Sequence, residues 1–286
     1  MRLAGKRAVV TGGSHGLGAE IARAYVREGA EVLICGRNAA DVEATRARLA
    51  SEFPASKIFG VAADVSSEAD NVRLFATVAQ VFEGRLDVLV CNAGVLGTKG
   101  LIDEIDFDEF VRAVEINLFG PIRNVRHALP LLARSTRPKV IATSGGGAER
   151  PTEHTTAYSV SKTALVRFIE CLSLHLGTRG DANALGPGQL NTRMADEVIS
   201  AGEQGVGKRH YESFLAMRAS NGGASIPNAA HCAVFLASAD SDGITGRLVH
   251  SVRDRFEELP LHREQIASSD LLTLRRVEAK DRGFDW

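Results

Sequence analysis

Between a short apolar run at residues 8–11 and an apolar-periodic stretch at 17–27 lie Thr11, Gly12, Gly13, Ser14, His15, Gly16, Leu17 and Gly18. A glycine-rich turn in that position limits the possible folds more than any other feature of the chain. Glycines at 12, 16 and 18 let the backbone turn tightly, bring N–H groups against an anion and let the next helix pack close to its strand. The N-terminal end of that helix also presents its positive dipole to the anion. The unit reads as the opening of a dinucleotide-binding βαβ fold, with Gly12, Ser14, Gly16, Leu17 and Gly18 around a pyrophosphate. His15 is either a further phosphate contact or an exposed loop histidine.

The same alternation continues along the chain. Strand-like runs at 32–35, 58–61, 88–91 and 139–143 are separated by helical patterns at 41–49, 68–82, 108–117 and 122–132. A long helix over 158–176, a short strand near 182–185, a helix over 228–236 and a last strand near Leu248 complete the pattern. This predicts an α/β, Rossmann-type doubly wound parallel sheet of about seven strands with helices on both faces, in three layers. No linker, repeat or charge block splits a second domain off the 286 residues, so 1–254 read as one domain and 255–286 as an ordered C-terminal extension of it. Apolar residues make up 44% and charged residues 24%, enough to build a core. Lys plus Arg is 34 against 35 for Asp plus Glu, which removes the electrostatic argument for nucleic acid or an anionic membrane. Cys35, Cys91, Cys171 and Cys232 show no C-x-x-C or metal-ligand spacing and are expected to fill the core of a reduced chain. With no secretory leader expected at Met1 and no apolar run near the roughly 20 residues of a membrane span, the expectation is a cytoplasmic protein with a small-molecule partner.

The second strand ends Cys35, Gly36, Arg37. An acidic side chain there would bind an adenosine ribose and repel a 2′-phosphate, whereas Gly36 leaves space and Arg37 brings a guanidinium, which favours NADP(H) over NAD(H). Tyr158 and Lys162, four residues apart at the start of a helix, share one face. An ammonium beside a phenol favours the phenolate and suits proton transfer. Ser144 follows the run ending at Thr143, so its hydroxyl is expected at the carboxyl edge of the sheet, with Thr143 as the alternative.

With these residues in view, the chain resembles the short-chain dehydrogenase/reductase family over about residues 3–250. Asp64 and Val65, Asn92, Ala93 and Gly94, Asn117, and Pro187 and Gly188 extend the match. The resemblance implies that Tyr158 is the general acid/base and that Ser144 holds the substrate oxygen. It implies that Lys162 binds the nicotinamide ribose and assists Tyr158, while Asn117 anchors a proton-relay water. Asp64 and Val65 would flank the adenine, Asn92, Ala93 and Gly94 would pack beside the cofactor, and Thr192 would meet the carboxamide. The implied activity is interconversion of a secondary alcohol and a ketone, with three candidate substrate classes: 3-oxoacyl thioesters, sugars or polyols, and steroids or other hydrophobic ketones. A silent nucleotide sensor and an epimerase or dehydratase are the competing functions. Family members commonly pair two helices, here 122–132 and 158–176, so a homo-oligomer, dimer or tetramer, is expected.

Three departures stand out. Ser144 precedes Tyr158 by 14 positions, one more than the commoner family spacing; Cys91 replaces an Asn; and Val252, Arg253 and Asp254 replace the usual Asp-Gly-Gly ending. Gln189 and His154 are the candidate substrate contacts, His154 alternatively being an exposed loop histidine. Residues 193–221, with Glu203, Lys208, Arg209, His210, Tyr211 and Arg218, occupy the position of a substrate lid. The apolar tail is expected to dock on its own subunit or a neighbour and to bury Phe284 and Trp286.

Overall fold

Strands β1 (Arg7–Thr11), β2 (Glu31–Gly36), β3 (Ile58–Ala62), β4 (Val88–Cys91), β5 (Lys139–Thr143), β6 (Asp181–Gly186) and β7 (Arg247–His250) form one parallel sheet in the order β3-β2-β1-β4-β5-β6-β7. These come from a computed structural model that describes residues 1–220 and 222–286. Strands β1, β2, β4, β5 and β6 are buried along nearly their whole length because helices cover both faces, whereas edge strand β3 alternates partly buried and exposed positions after Ile58.

Helices α1 (Gly16–Arg27), α2 (Ala39–Glu52), α3 (Glu68–Val81), α4 (Phe107–Val114), α5 (Gly120–Leu132) and α6 (Thr156–Leu176) follow the first five strands. Helices α7 (Arg193–Val206), α8 (Lys208–Ala219) and α9 (Ile226–Ala237) lie between β6 and β7, and α10 (Arg263–Ala267) lies in the tail. One core cluster joins α1, α2 and α9 to the sheet, and a second joins α3, α5 and α6 to it. The three-layer Rossmann-type α/β fold is therefore as expected. The crossover from β3 to β4 places β4 beside β1, and the switch point between them opens a crevice at the carboxyl edge.

Two local expectations change. The helices expected at 108–117 and 122–132 join through a π-helical turn, Glu115–Phe119, which contains Asn117. Cys171 is exposed on α6, whereas Cys35, Cys91 and Cys232 are buried, so one of the four cysteines does not fill the core. Its neighbour Leu172 takes the inward position on the helix, and the 100° turn per residue carries Cys171 away from the sheet.

The tail straps the edge strand β7. The Leu248 N–H donates to the Leu272 carbonyl at 2.7 Å, closing an edge position. The Arg247 guanidinium donates to the carbonyls of Ile266 (2.6 Å), Ser269 (3.0 Å) and Leu271 (2.8 Å). Phe256 and Ile266 are buried, but Phe284 and Trp286 are 54% and 90% exposed, contrary to expected burial on their own subunit. After Leu274, whose N–H donates to Glu170, a short 3-10 turn (Ala279–Arg282) ends at Gly283 with φ +78°; the final rings meet each other 6.1 Å apart instead of the core. Deleting residues 268–286 is expected to lower stability by at least about 2 kcal/mol, because Arg247 loses two charge-assisted partners. A denaturant melt superimposable on that of the full chain would show the strap to be dispensable.

Candidate active site

The turn after β1 is a cradle that side chains would fill. Gly12 and Gly16 have positive φ (62° and 51°). A β-carbon at Gly12 would lie 2.9 Å from Ala93 Cα, and one at Gly18 would lie 2.2 Å from the Gly12 carbonyl oxygen. His15 stands at the N-cap of α1 without a side-chain cap among the described residues, leaving first-turn N–H groups open to an anion. Its ring meets Ser14 Oγ at 3.0 Å and Asp41 at 3.5 Å. Asn92 staples the cradle to its neighbours: its Nδ2 donates to the Thr11 and Gly12 carbonyls, and its Oδ1 accepts from Thr143 Oγ1 at 3.2 Å.

This cradle opens into a cleft of about 1000 Å³ along the carboxyl edge. Leu17, Arg37, Asp64, Val65, Asn92, Ala93, Gly94, Pro187, Gly188, Gln189 and Thr192 all line it, as do Gly12, Ser14, His15, Gly16 and Gly18. Arg37 is exposed and has no ion-pair partner among the described residues. Gly36 beside it has no room for a side chain, since a β-carbon would come 2.9 Å from Ser14 Oγ. Asp64 accepts from the Ser66 N–H and hydroxyl, and Thr192 packs 3.5 Å from the position a Gly16 β-carbon would take.

Ser144, Tyr158 and Lys162 all line the cleft. The Thr143 hydroxyl is spent on Asn92, while Ser144 Oγ is buried without a partner among the described residues, which separates the two candidate hydroxyls. A β-carbon at Gly145 would lie 2.0 Å from the Tyr158 oxygen, so the phenol OH sits directly against the residue after Ser144. Lys162 donates to the Thr143 carbonyl at 2.8 Å and lies 5.8 Å from the Tyr158 ring centre. Burial pushes the Tyr158 phenol up to about 12 and the Lys162 ammonium down to about 8. Asn117 is fully buried; its Oδ1 accepts from the Val95 N–H at 2.8 Å and its Nδ2 donates to the Val95 carbonyl and Ser161 Oγ. Its side chain fixes the loop after β4.

Of the two readings of His154, substrate contact or loop histidine, its geometry matches the second. It adopts φ +54° and its ring binds the Gln204 carbonyl at 2.9 Å, so it ties the loop before α6 to α7 and is not among the cleft-lining residues. The lid consists of α7 and α8; its expected last residue, Asn221, lies outside the described residues. Met194, Tyr211 and Phe214 of the lid pack with Leu96, Val198 and Tyr158. Sequence reasoning missed three wall residues: His250 at the end of β7, and Glu149 and Arg253, which form an ion pair. The departure from the family's ending at 252–254 was the one available signal for them.

A doubly wound sheet with a glycine cradle at its switch point and a Ser, Tyr and Lys cluster beyond it is the layout of a dinucleotide-dependent enzyme. A family model described as short chain dehydrogenase matches residues 6–203. Momilactone A synthase of Oryza sativa subsp. japonica is 32% identical over 252 residues, covering 86% of this chain and 88% of the relative. Glucose 1-dehydrogenase of Gluconobacter oxydans is 31% identical over 255 residues, covering 87% and 91%. A solved structure described as the Pseudomonas aeruginosa RhlG/NADP active-site complex is similar with a TM-score of 0.77 at 28% identity, covering 89% of this chain and 97% of that one. The chain belongs to the short chain dehydrogenase family, and it is an oxidoreductase of the class acting on CH–OH and C=O groups with NAD(P). Among the described residues, no helix is long and apolar enough to cross a membrane.

Proposed function

We propose that the protein interconverts a secondary alcohol and a ketone with NADP(H), using Tyr158 as the proton donor and acceptor. The observation that carries this reading is the contact of the Tyr158 hydroxyl with the backbone beside the unpartnered Ser144 Oγ. A bound nicotinamide supplies or accepts the hydride. Ser144 donates a hydrogen bond to the substrate oxygen and holds it against Tyr158. Tyr158 gives its proton to that oxygen in reduction and removes it in oxidation. Lys162 has no carboxylate partner among the described residues, so its ammonium is available to a ribose hydroxyl and favours the phenolate when oxidation requires it. Asn117 acts through position, holding Val95 and thereby the wall opposite Gly94.

The test is consumption of one NADPH per ketone reduced across a carbonyl panel. Product formation without net NADPH change would favour an epimerase or dehydratase instead. The preference for NADP(H) rests on Gly36 and the unpaired Arg37, with Ser14 and His15 adjacent. Arg37→Ala is expected to weaken NADPH binding by about 1.5 to 3 kcal/mol, the worth of a charge-assisted hydrogen bond, and to leave NADH nearly unaffected. Equal loss for both cofactors in calorimetry would refute it. Self-association as a homo-oligomer belongs to the same reading. It is supported by large apolar side chains left exposed on α4, the π turn and α6: Phe107, Val111, Phe119, Val160 and Leu174.

A further inference from the structure

Three buried side-chain atoms at the wall of the cleft lack a hydrogen-bond partner among the described residues: Ser144 Oγ, Gln189 Nε2 and His210 Nδ1. An unpaired buried polar group is destabilising, so its retention calls for an explanation. The reacting oxygen accounts for Ser144. It does not account for Gln189 or His210, which the proton path leaves unused.

Both stand in an apolar setting. Leu96, Met194, Val198 and Phe214 line the same cleft, and the His210 ring packs against Phe214 with centres 5.0 Å apart. The Gln189 amide is oriented by Ser213, whose hydroxyl donates to its Oε1 at 3.2 Å. His250 adds a donor of fixed sense. Its Nδ1 accepts from the N–H groups of Val252 (3.1 Å) and Arg253 (3.3 Å), so the neutral ring carries its proton on Nε2.

The buried hydrogen-bonding groups here are neutral. Burial lowers the pKa of His210 against the opposing pull of Glu153, and burial followed by Arg253 lowers that of His250, which keeps both rings neutral near pH 7. Arg253 and Glu149 neutralise each other. The remaining lid-side charges on the cleft, Arg150, Glu153, Arg193, Glu197 and Arg209, are exposed.

We propose that Gln189, His210 and His250 form a neutral hydrogen-bonding pole that takes a second, uncharged oxygen of the substrate. The substrate class is then a ketone or secondary alcohol that bears a further hydroxyl or carbonyl on an apolar skeleton. A carboxylate or phosphate would set an anion against uncharged donors in a low-dielectric wall, and a plain hydrocarbon ketone would leave both polar groups orphaned. This deepens the oxidoreductase reading and rests on it for the reacting carbon.

The experiment compares cyclohexanone with 4-hydroxycyclohexanone, 2-decalone with a hydroxy-2-decalone, and 4-oxocyclohexanecarboxylate as the anionic probe. Two quantities are measured for the full chain: kcat/KM from NADPH absorbance, and affinity for the NADP⁺-loaded protein by calorimetry. The expected result is a preference of about 100-fold for the hydroxylated member of at least one pair, since a site built to bind a hydroxyl discriminates strongly against its absence. In Gln189→Leu and in His210→Phe, each near in volume and checked by melting, that ratio is expected to collapse toward one. The ratio within a matched pair is insensitive to a general loss of folded protein. Equal treatment of both members on every skeleton, a ratio that survives in both variants, or the carboxylate as best probe would overturn the proposal. Turnover without preference sinks the pole and leaves the redox reading intact. Binding preference that disappears in the variants, with no NADPH oxidation by any probe, supports the pole and sinks the redox reading.

Discussion

Tyr158→Phe is expected to retain cofactor binding and to lose about 10²- to 10⁴-fold in turnover, the range that a positioned proton donor contributes. The variant keeps the ring that packs with Leu96, Met194 and Phe214, and removes only the hydroxyl beside Gly145. The pH profile gives the sign independently. With the phenol pushed up to about 12 before cofactor binds, Tyr158 is protonated at neutral pH and ready to reduce a carbonyl. Alcohol oxidation needs the phenolate, so its kcat/KM is expected to climb with pH, whereas reduction stays flat and falls only in the alkaline range. Lys162→Ala removes the nearby positive charge and is expected to move the oxidation limb to higher pH. Steady-state rates in both directions across pH are the measurement. A Phe variant with unchanged turnover would remove Tyr158 from the mechanism.

Asp181→Asn is expected to cost about 3 to 5 kcal/mol of stability, the loss seen when one partner of a buried ion pair is removed. The Asp181 carboxylate accepts from Arg137 Nε and an Arg137 terminal nitrogen at 2.8 Å each, from Lys139 Nζ at 2.7 Å and from the Gly243 N–H at 3.3 Å. Lys139 is only 2% exposed, and without Asp181 it keeps just Asp242 at 2.7 Å as a charged partner. By contrast, Lys57→Ala breaks the exposed pair with Glu31 and is expected to cost under about 1 kcal/mol. Denaturant melts of the two variants provide the comparison. A loss below about 1 kcal/mol for Asp181→Asn would show that this cluster does not hold the amino edge of β5, β6 and the turn before β7 together.

Much of the site was legible because its signals are short and local. Thr11 to Gly18 must turn tightly wherever the strand before them goes, and Tyr158 and Lys162 share a face on any α-helix. Ser144 was the preferred hydroxyl from its place after the strand, but the reason Thr143 is set aside was not legible: Asn92, 51 residues before Thr143, takes up the Thr143 hydroxyl. His154 was open to two readings from its place in the loop, substrate contact or loop histidine, and its bond to the Gln204 carbonyl, 50 residues on, turns it to α7. The apolar content of the tail suggested docking with Phe284 and Trp286 buried, but the tail docks through Phe256 and Ile266 and leaves Phe284 and Trp286 exposed.

The sequence by itself determined the βαβ alternation, the phosphate cradle and the Tyr158 and Lys162 pair, since each follows from backbone sterics or from helical spacing over a few residues. Only the tertiary structure decided how the cleft is walled. Gln189 after β6, His250 at the end of β7 and His210 on α8 line one cleft because the sheet order and the packing of α7 and α8 bring together segments that no local pattern connects.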